Sequence, residues 1–435
     1  MNHRGISELE FACNEALKQL YPAGIPEKIS MRLGEEMCAL KIVEFEGTGV
    51  ADEFLLFKEL SDAAKQACCV LLPVGVESNS LLTYLLGAYG LNPMSAHYYC
   101  RHCGFYREEP KVVAGIDLPM KCCPQCGKLL HWDGFSLRQE LVWAVGRTPG
   151  FEYRAPKRFH RVAQKIIERH YAEQGRTVVL CGWSSGQDRA GIVEFGWMVL
   201  PEGKTIDDYP SMQCMTREGK SCLYHDCDQI QNERIKHILF HESELLDRLD
   251  AVQWESGVLL TDIPAECLAG ITYKELILAD VLSDEDHQAV RVHEPMTFQG
   301  VADCISAAHN TWQDPCTDDV ISFQAVSKFF EYRKCPFCTR DDVFDYLCKV
   351  YRNEDQALID TENLRKGRCR HDPERFVHDD MPRPLRDFAK YVSYLAPRAY
   401  GQQTLLQYMR LVWYSKLDHY AYRKAVWEAE EQYKR

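Results

Sequence analysis

Two short stretches, Cys-Arg-His-Cys-Gly at residues 100–104 and Cys-Pro-Gln-Cys-Gly at residues 123–127, decide how this chain is interpreted. Each stretch is a Cys-x-x-Cys knuckle closed by glycine, and one strand-length excursion separates the two. This is the spacing of a zinc ribbon, in which four thiolates bind one ion and leave no open coordination position. We therefore predict one structural zinc ion per chain. Its predicted ligands are Cys100, Cys103, Cys123 and Cys126.

The composition is that of an ordinary globular protein. The 435 residues are 46% hydrophobic and 26% charged, enough for two or three domains with their own cores. No apolar run is long enough for a membrane span, and Met1–Glu8 carries charges where a signal peptide would be apolar. We therefore expect a cytoplasmic protein without membrane contact, whose 20 cysteines are thiols and metal ligands rather than disulfides. The net charge of -13 gives no global attraction for nucleic acid, so DNA binding would need a local basic patch.

Hydrophobic periodicity divides the chain into an α/β part and a helical part. Helical periodicity occurs at 8–20, 53–68 and 157–175, and apolar runs at 70–72, 177–181 and 192–200 suit buried strands. From about residue 255 onward the pattern is almost entirely helical. The amphipathic segments there are 321–333, 341–351, 384–395 and 402–430. We therefore predict an α+β fold in which the ribbon is inserted into the first part.

Stretches along nearly the whole chain share the pattern of one enzyme family. Those in the first half are Asn92–Pro93, His97–Cys100, Asp117–Pro119, the second knuckle, Gln187–Val199 and Cys222–Glu242. They resemble the zinc-containing palm of the PolC-type DNA polymerase III alpha subunit, a bacterial C-family DNA polymerase. Pro397–Tyr400 and the helix through Arg410 resemble the nucleotide-facing fingers of that family.

The resemblance implies a palm-like sheet of the nucleotidyltransferase type, an inserted zinc ribbon and a helical fingers-like domain. The expected boundaries are 1–95 for the first palm-like part, 96–135 for the ribbon, 136–255 for the second palm-like part with a reduced thumb, and 256–435 for an all-helical fingers-like domain.

The residues that catalysis would need depart from the family pattern. The resemblance implies two magnesium ions on three palm aspartates, because in-line phosphoryl transfer needs hard oxygen ligands. The first two aspartate positions fall near Ala144 and Gly146, and the third falls on His237, whose imidazole prefers zinc, copper or iron. In the phosphate-binding loop, Pro73 lacks an N–H and Glu77 repels phosphate. We therefore predict a pseudo-polymerase without catalytic residues, which has no need for magnesium.

DNA contacts, where retained, would come from a basic segment and from the fingers. The candidates are Arg154, Lys157, Arg158, Arg161, Lys165, Arg169, Arg398 and Arg410. The alternative is that the first six line a solvated helix face and that the last two are structural helix cations. Three functional hypotheses remain: a zinc-containing factor that acts on primed or single-stranded DNA or docks on a replisome protein, an active polymerase, and a protein-interaction module without nucleic-acid binding. The active polymerase would need a magnesium site rebuilt on Asp188, Asp226 or Asp228.

Two further groups of cysteines and histidines leave metal binding open. Five residues lie where the resemblance puts the catalytic region of the family: Cys222, His225, Cys227, His237 and His241. They form either a second metal site or a scattered set of polar and core residues without a shared ion. Two zinc ions per chain would support a second site, and a count of one would exclude it. The other group combines Cys335 and Cys338 with Cys348, Cys369 and His371 at irregular spacing, where a helix-start turn is the favoured interpretation.

Overall fold

The structure is a computed structural model that combines helices with three β-sheets. It describes residues 3–45, 49–87, 90–143, 151–184, 191–233, 235–263, 265–326 and 337–433. Its helices in chain order are α1 (His3–Leu20), α2 (Glu27–Phe45), α3 (Val50–Gln66), α4 (Leu81–Leu86), α5 (Lys157–Ala172), α6 (Cys227–Asn232), α7 (Glu244–Ser256), α8 (Ala265–Leu268), α9 (Tyr273–Leu278), α10 (Asp284–His293), α11 (Phe298–His309), α12 (Arg340–Tyr351), α13 (Glu354–Arg365), α14 (Arg368–His371), α15 (Pro373–Phe376), α16 (Arg383–Ala389), α17 (Arg398–Leu417) and α18 (His419–Tyr433).

The strands follow the same chain order and fall into one large and two small sheets. They are β1 (Leu72–Pro73), β2 (His97–Tyr99), β3 (Tyr106–Glu108), β4 (His131–Asp133), β5 (Phe151–Ala155), β6 (Val178–Trp183), β7 (Val193–Val199), β8 (Gln213–Met215), β9 (Ser221–Tyr224), β10 (Lys236–Glu242), β11 (Thr311–Gln313), β12 (Val320–Ile321) and β13 (Val392–Tyr394). Mixed α+β architecture is therefore confirmed.

The large sheet has seven strands in the order β1-β5-β10-β7-β6-β9-β8. Strands β5 and β10 are parallel, as are β6 and β9, and the other neighbours are antiparallel. Side chains alternate between the two faces of a strand. Phe151, Tyr153, Ile238 and Phe240 therefore point to one face, where they join a core built with helices α1 to α5. The intervening residues of β5 and β10 point to the opposite face.

The ribbon forms a small sheet of its own in the order β3-β2-β4. Its core is small and includes Tyr98, Leu130 and Trp132 together with two of the cysteines. The Tyr98 hydroxyl donates a hydrogen bond to the Pro119 carbonyl oxygen at 2.6 Å, which ties the central strand to the loop before the second knuckle.

The region after residue 255 is mainly helical, but the prediction that it is all helical was wrong. Strands β11, β12 and β13 form a three-stranded sheet in which Trp312 of β11 is buried against Phe388 of α16. Strands this short show no period-two alternation, so the sequence pattern does not reveal them. The segment predicted as a helix at 384–395 accordingly ends at Ala389 and continues into β13.

Buried polar contacts join the helical region to the loop before α4 and to the segment that follows the ribbon. The N–H of Arg398, the first residue of α17, donates to Asp341 Oδ2 at 2.9 Å, and Asn79 Nδ2 donates to Asp341 Oδ1 at 3.1 Å. Arg398 Nη1 donates to the Ser136 carbonyl oxygen at 3.0 Å. Because an unpaired buried polar group is costly, these bonds fix how α17 faces these two segments.

Among the described residues, no helix combines the length and the apolar character needed to cross a bilayer.

Candidate functional site

The four predicted zinc ligands come together at one end of the ribbon. Their sulfur atoms all lie within 4.8 Å of one another, with Cys100 Sγ 3.5 Å from Cys126 Sγ and Cys103 Sγ 3.5 Å from Cys123 Sγ. The two knuckles have matching backbone turns. Gly104 N–H donates to the Cys100 carbonyl oxygen and Gly127 N–H to that of Cys123, each at 2.9 Å. Both glycines have φ near +75° (Gly104 76°, Gly127 72°), where a side chain would be strained.

These distances fit one tetrahedral ion. Zinc–thiolate bonds of about 2.3 Å in a tetrahedron separate the sulfur atoms by about 3.8 Å, close to the observed pairs. Cys100 and Cys123 are buried while Cys103 is exposed, so the site lies at the ribbon surface. Four thiolates around one ion leave no position for a substrate or water. The cluster is therefore suited to hold a structural metal ion rather than a catalytic one.

A second group of polar and aromatic side chains lies on the large sheet, on the face opposite the main core. His241 Nε2 of β10 lies 3.3 Å from Glu152 Oε2 of β5. The His241 ring meets the edge of Phe195 of β7 with centroids 4.9 Å apart, and Phe195 stacks on Trp183 of β6 at 5.5 Å. His225, which follows β9, contacts Phe195 at 5.7 Å. Four adjacent strands thus contribute one continuous row.

The environment sets the charge of this group. Burial and the neighbouring His237 lower the pKa of His225 to about 4, and burial lowers the pKa of His237. Burial alone would raise the pKa of the Glu152 carboxyl, but the hydrogen bond and charge of His241 outweigh it and hold that pKa below its usual value. Near neutral pH, His225 and His237 are therefore neutral and Glu152 is ionised.

The proposed second metal site finds no ligand arrangement among the described residues. Within them, only the four ribbon cysteines bring three or more ligand atoms within 4.8 Å. Cys222 Sγ lies 3.2 Å from Cys214 Sγ across strands β8 and β9. The side chain of Cys227 lies outside the described residues, as do Ala144 and Gly146. His225 and His237 form a pair with ring centroids 5.3 Å apart.

The group around Cys338 is likewise not a metal cluster in the part of the chain that the structure describes. Cys335 lies outside that part. Thr339 begins helix α12 with a capping box, in which its side chain accepts from Asp342 N–H and Asp342 accepts in return from the Thr339 N–H at 2.9 Å. This is the helix-start turn favoured by the sequence.

The loop at residues 73–80, which the resemblance predicts to be the phosphate-binding loop, is held by hydrogen bonds to two carboxyl groups. Glu77 Oε1 accepts from Gly75 N–H at 3.2 Å and from Glu152 N–H at 3.1 Å. Glu36 of α2 accepts from Leu81 N–H at 2.9 Å, at the start of α4. Burial and the nearby Glu152 raise the pKa of Glu77 to about 8. Glu77 is fully buried, so it acts on the loop from inside rather than across open solvent.

The cations predicted to bind DNA divide into exposed and engaged groups. Lys157, Arg161 and Lys165 are exposed along α5. Arg158 Nη2 is 2.6 Å from Asp250 Oδ1 of α7, and Arg169 pairs with Glu59 of α3. These two pairs hold α5 against its neighbours.

The remaining predicted cations face the protein interior. Arg398 is 5% exposed and donates to Asp342 Oδ1 at 2.9 Å and Asp345 Oδ2 at 3.0 Å. Arg410 Nη1 donates to Gln407 Oε1 at 2.7 Å. Arg154 Nη2 of β5 donates to Thr404 Oγ1 at 3.1 Å, and the Arg154 guanidinium lies over the Tyr400 ring at 4.8 Å.

Of the three aspartates considered for a rebuilt magnesium site, the described residues include only the side chain of Asp226. Asp188 and the side chain of Asp228 lie outside the described residues. Asp226 Oδ1 accepts from Gln229 N–H at 3.0 Å and thereby caps α6. Sequence reasoning missed Glu152 as a member of the site. Its signal was the alternation in Phe151–Ala155, which puts Glu152 and Arg154 on the face opposite the core.

Comparison with known proteins supports the resemblance drawn from the motifs. The chain is 27% identical to the DNA polymerase III PolC-type of Thermotoga maritima over 465 residues, which cover 91% of this chain and 33% of that protein. It is 28% identical to that of Oceanobacillus iheyensis over 485 residues, 95% of this chain and 32% of the relative. For Mycoplasmopsis pulmonis the identity is 29% over 473 residues, 92% of this chain and 32% of the relative.

The chain thus spans about a third of the length of the curated relatives it matches. No protein-family model matches it. Similarity to PolC-type DNA polymerase III over nearly the whole chain is confirmed, and the chain is related to that polymerase.

Proposed function

We propose that this protein is a polymerase-derived factor of DNA replication that binds DNA without polymerising it. The observation that carries the proposal is the occupied phosphate-binding loop. Backbone amides at Gly75 and at the start of α4 already donate to the carboxylates of Glu77 and Glu36. A triphosphate would have to displace both carboxyl groups from these amides.

The residue at the third aspartate position of the family also favours DNA binding without polymerisation. The third aspartate position of the family falls on His237, whose imidazole is neutral and packs against His225. Glu152 is the carboxylate nearest this pair on the sheet, and His241 engages it. Magnesium prefers several hard oxygen ligands in octahedral geometry. One carboxylate among imidazoles does not supply that environment.

In this proposal the domains keep their ancestral places. The large sheet corresponds to the palm, split into 1–95 and 136–255 with a reduced thumb, and 96–135 corresponds to the inserted ribbon. Residues 256–435 correspond to the fingers, with the small sheet of β11 to β13 added. The zinc ion would be structural, with Cys100, Cys103, Cys123 and Cys126 as ligands, because the ribbon core is small.

DNA binding is proposed for the exposed face of α5. Lys157, Arg161 and Lys165 project there into solvent, whereas Arg398 and Arg410 have intramolecular partners and are assigned to positioning the helices. A replisome protein is the alternative partner, and it would be favoured by the net charge of -13.

The test is fluorescence anisotropy of a labelled primer–template with zinc-loaded protein at low and moderate salt. We expect binding that weakens with salt, and the triple variant Lys157→Ala, Arg161→Ala and Lys165→Ala should lower the logarithmic salt slope by about 2–3. The matched control removes three other cations, Arg383 and Arg386 of α16 and Lys390 directly after it. Equal loss in both variants, or no binding at low salt, would contradict DNA binding through α5 and would favour a protein partner.

Primer extension tests the second half of the proposal. We expect no incorporation with magnesium or manganese. Template-dependent incorporation that Asp226→Asn abolishes would instead support the active polymerase with a rebuilt metal site.

Nucleotide binding without turnover is a second candidate, and Arg340 of α12 favours it. The residue is 2% exposed, its Nε lies 3.7 Å from Asp341 Oδ2, and its Nε and Nη2 have no hydrogen-bond partner. The ion pair with Asp341 is too long for a hydrogen bond, so Nε and Nη2 keep unmet donors that a phosphate group would satisfy. A rise in Tm with added deoxynucleoside triphosphate that Arg340→Gln removes would support this candidate, and an unchanged Tm would exclude it.

A further inference from the structure

We propose that the exposed part of the second face of the large sheet, beyond the buried cluster that includes Cys181, Met198 and Leu239, is a stacking platform for the unpaired bases of single-stranded DNA. The platform consists of Trp183, Phe195 and His241, which we call the aromatic row. This inference rests on the proposed DNA binding but assigns a different part of the surface and a different form of DNA from the exposed face of α5.

The aromatic row crosses three neighbouring strands of the sheet. Trp183 of β6 stacks on Phe195 of β7 with centroids 5.5 Å apart and ring planes 26° apart. Phe195 meets His241 of β10 at 4.9 Å with the rings nearly perpendicular. Glu152 of β5 ends the row at 3.3 Å from His241. Flat side chains placed side by side on a sheet form a surface on which successive bases can stack.

The row is accessible from solvent, unlike the opposite face of the same strands. Trp183 is 39% exposed and its strand neighbour Val193 is 40% exposed, while the His241 side chain is 31% exposed. On the core face, Trp197 of β7 is only 6% exposed. A tryptophan whose role was packing would bury its ring as Trp197 does, because each buried aromatic adds to stability. Trp183 packs one side on Phe195 and leaves the rest of its ring to solvent.

A β-bulge directs Phe195 onto this face. The pairing of β6 with β7 passes from Gly182↔Glu194 to Cys181↔Gly196, which leaves Phe195 as the extra residue. Gly196 has φ +133°, and a Cβ there would lie 2.2 Å from the Ile238 carbonyl oxygen. Bulges commonly redirect a side chain next to a functional site. Here the bulge places Phe195 between Trp183 and His241, so the row depends on a glycine that no other residue can replace.

Aromatic and cationic side chains continue next to the row, where Arg154 of β5 is the register partner of His241. Tyr400 of α17 stacks on His309 of α11 with centroids 4.0 Å apart, and the Arg154 guanidinium lies over Tyr400 at 4.8 Å. Arg154 belongs to β5 and has an unpartnered Nε. Aromatic rings interleaved with arginine are typical of clefts that hold single strands, since the rings stack on bases and the cations attract the backbone.

The arrangement favours single strands over duplex. In a duplex each base is already stacked on its neighbours and its faces are hidden from a protein surface. Unpaired bases offer both faces and can stack on Trp183 and Phe195 without a cost for opening base pairs.

The experiment is anisotropy with two fluorescein-labelled strands of equal length, a pyrimidine oligonucleotide and an abasic oligonucleotide with the same phosphates. Trp183→Ala should weaken binding to the pyrimidine strand by about fivefold to 100-fold and leave binding to the abasic strand unchanged. Trp183→Phe, which keeps a ring, should restore most of the affinity. The matched control is Trp254→Ala on α7, since Trp254 is 83% exposed and lies outside the row. It should not change either affinity.

Each outcome decides between the two proposals. Equal affinity of wild type and Trp183→Ala for the pyrimidine strand, or an equal loss on both strands, would overturn the platform. Binding to primer–template duplex without binding to the pyrimidine strand would also overturn it and would leave the proposed function standing. Base-dependent binding that Trp183→Ala removes, with no effect of the α5 variant on primer–template, would support the platform and contradict the α5 assignment.

Discussion

The ribbon and the histidine-bearing face of the large sheet differ in whether the metal-binding residues expected from the resemblance are present. In the ribbon all four cysteines are present and lie within 4.8 Å of one another. On the sheet face, the resemblance puts the third metal-binding position of the family at His237, and Glu152 is engaged by His241. A ribbon with so small a core would depend on a bound metal ion to fold, whereas a sheet with a large core would not depend on catalytic ions. Selection for folding alone would therefore retain the four cysteines of the ribbon but not the metal ligands on the sheet.

The largest expected effect concerns the ribbon. Cys123→Ser should reduce bound zinc from one ion per chain to none and unfold the ribbon, because structural zinc contributes about 10–16 kcal/mol in zinc-finger peptides. Zinc content by mass spectrometry and proteolysis within residues 96–135 measure both effects. The control is Cys122→Ser, next to the ligand but exposed, which should keep one zinc ion. Zinc retained by Cys123→Ser would mean that the ribbon does not depend on this ligand.

The next effect concerns the buried carboxyl of the former phosphate loop. Burial and Glu152 raise the pKa of Glu77 from 4.5 to about 8 in the folded state. Between these values the folded state holds a proton that the unfolded state has lost, so the contribution of Glu77 to stability is largest below pH 4.5 and falls as pH rises to 8. Glu77→Gln should remove up to about 4 kcal/mol of this loss. Urea unfolding at pH 5.5 and pH 8 measures it, with Glu218→Gln, at an exposed side chain, as control. An unchanged pH dependence in Glu77→Gln would contradict the buried, protonated carboxyl.

A smaller effect is expected at the bulge that supports the aromatic row. Gly196→Ala should lower the free energy of unfolding by about 2–3 kcal/mol, since the new Cβ meets the Ile238 carbonyl oxygen and φ is +133°. Gly203→Ala is the matched control, because φ there is also positive (+76°) but nothing lies within 4 Å of the new Cβ. It should cost about 1 kcal/mol. Equal losses in the two variants would show that the bulge tolerates a side chain and would weaken the case that Phe195 is held in place.

Local patterns predicted those parts of the fold whose signal is contained in a few adjacent residues. Helix α5 begins at Lys157 as its periodicity indicates, and β7 at Val193–Val199 matches the apolar run at 192–200. Helix α2 was missed because Met31 and Ile42 are exposed, which spreads apolar residues around the helix and hides the stripe. The break at Asp418 between α17 and α18 was also missed within the single segment 402–430.

The candidate sites likewise divide into those marked by a local motif and those that depend on residues far apart in the chain. The zinc ligands were predicted residue by residue, because two Cys-x-x-Cys turns are local motifs whose spacing is sufficient to place four sulfur atoms. The basic helix was predicted as a helix, but its sequence did not distinguish Arg158, which pairs with Asp250, from Arg161, which is exposed. Ion pairs join residues far apart in the chain, and periodicity carries no information about them.

The amino-acid sequence by itself determined the resemblance to PolC-type polymerases and the four clustered cysteines of the ribbon. These features depend on residue identity and short spacing alone. The tertiary structure decided that Glu77 and Glu36 occupy the amides of the phosphate loop, and that Trp183, Phe195, His241 and Glu152 form one row. Strand order and a single bulge create that row from residues spread along the chain from Glu152 to His241. Such neighbours arise from the pairing register of a mixed sheet, which no local pattern specifies.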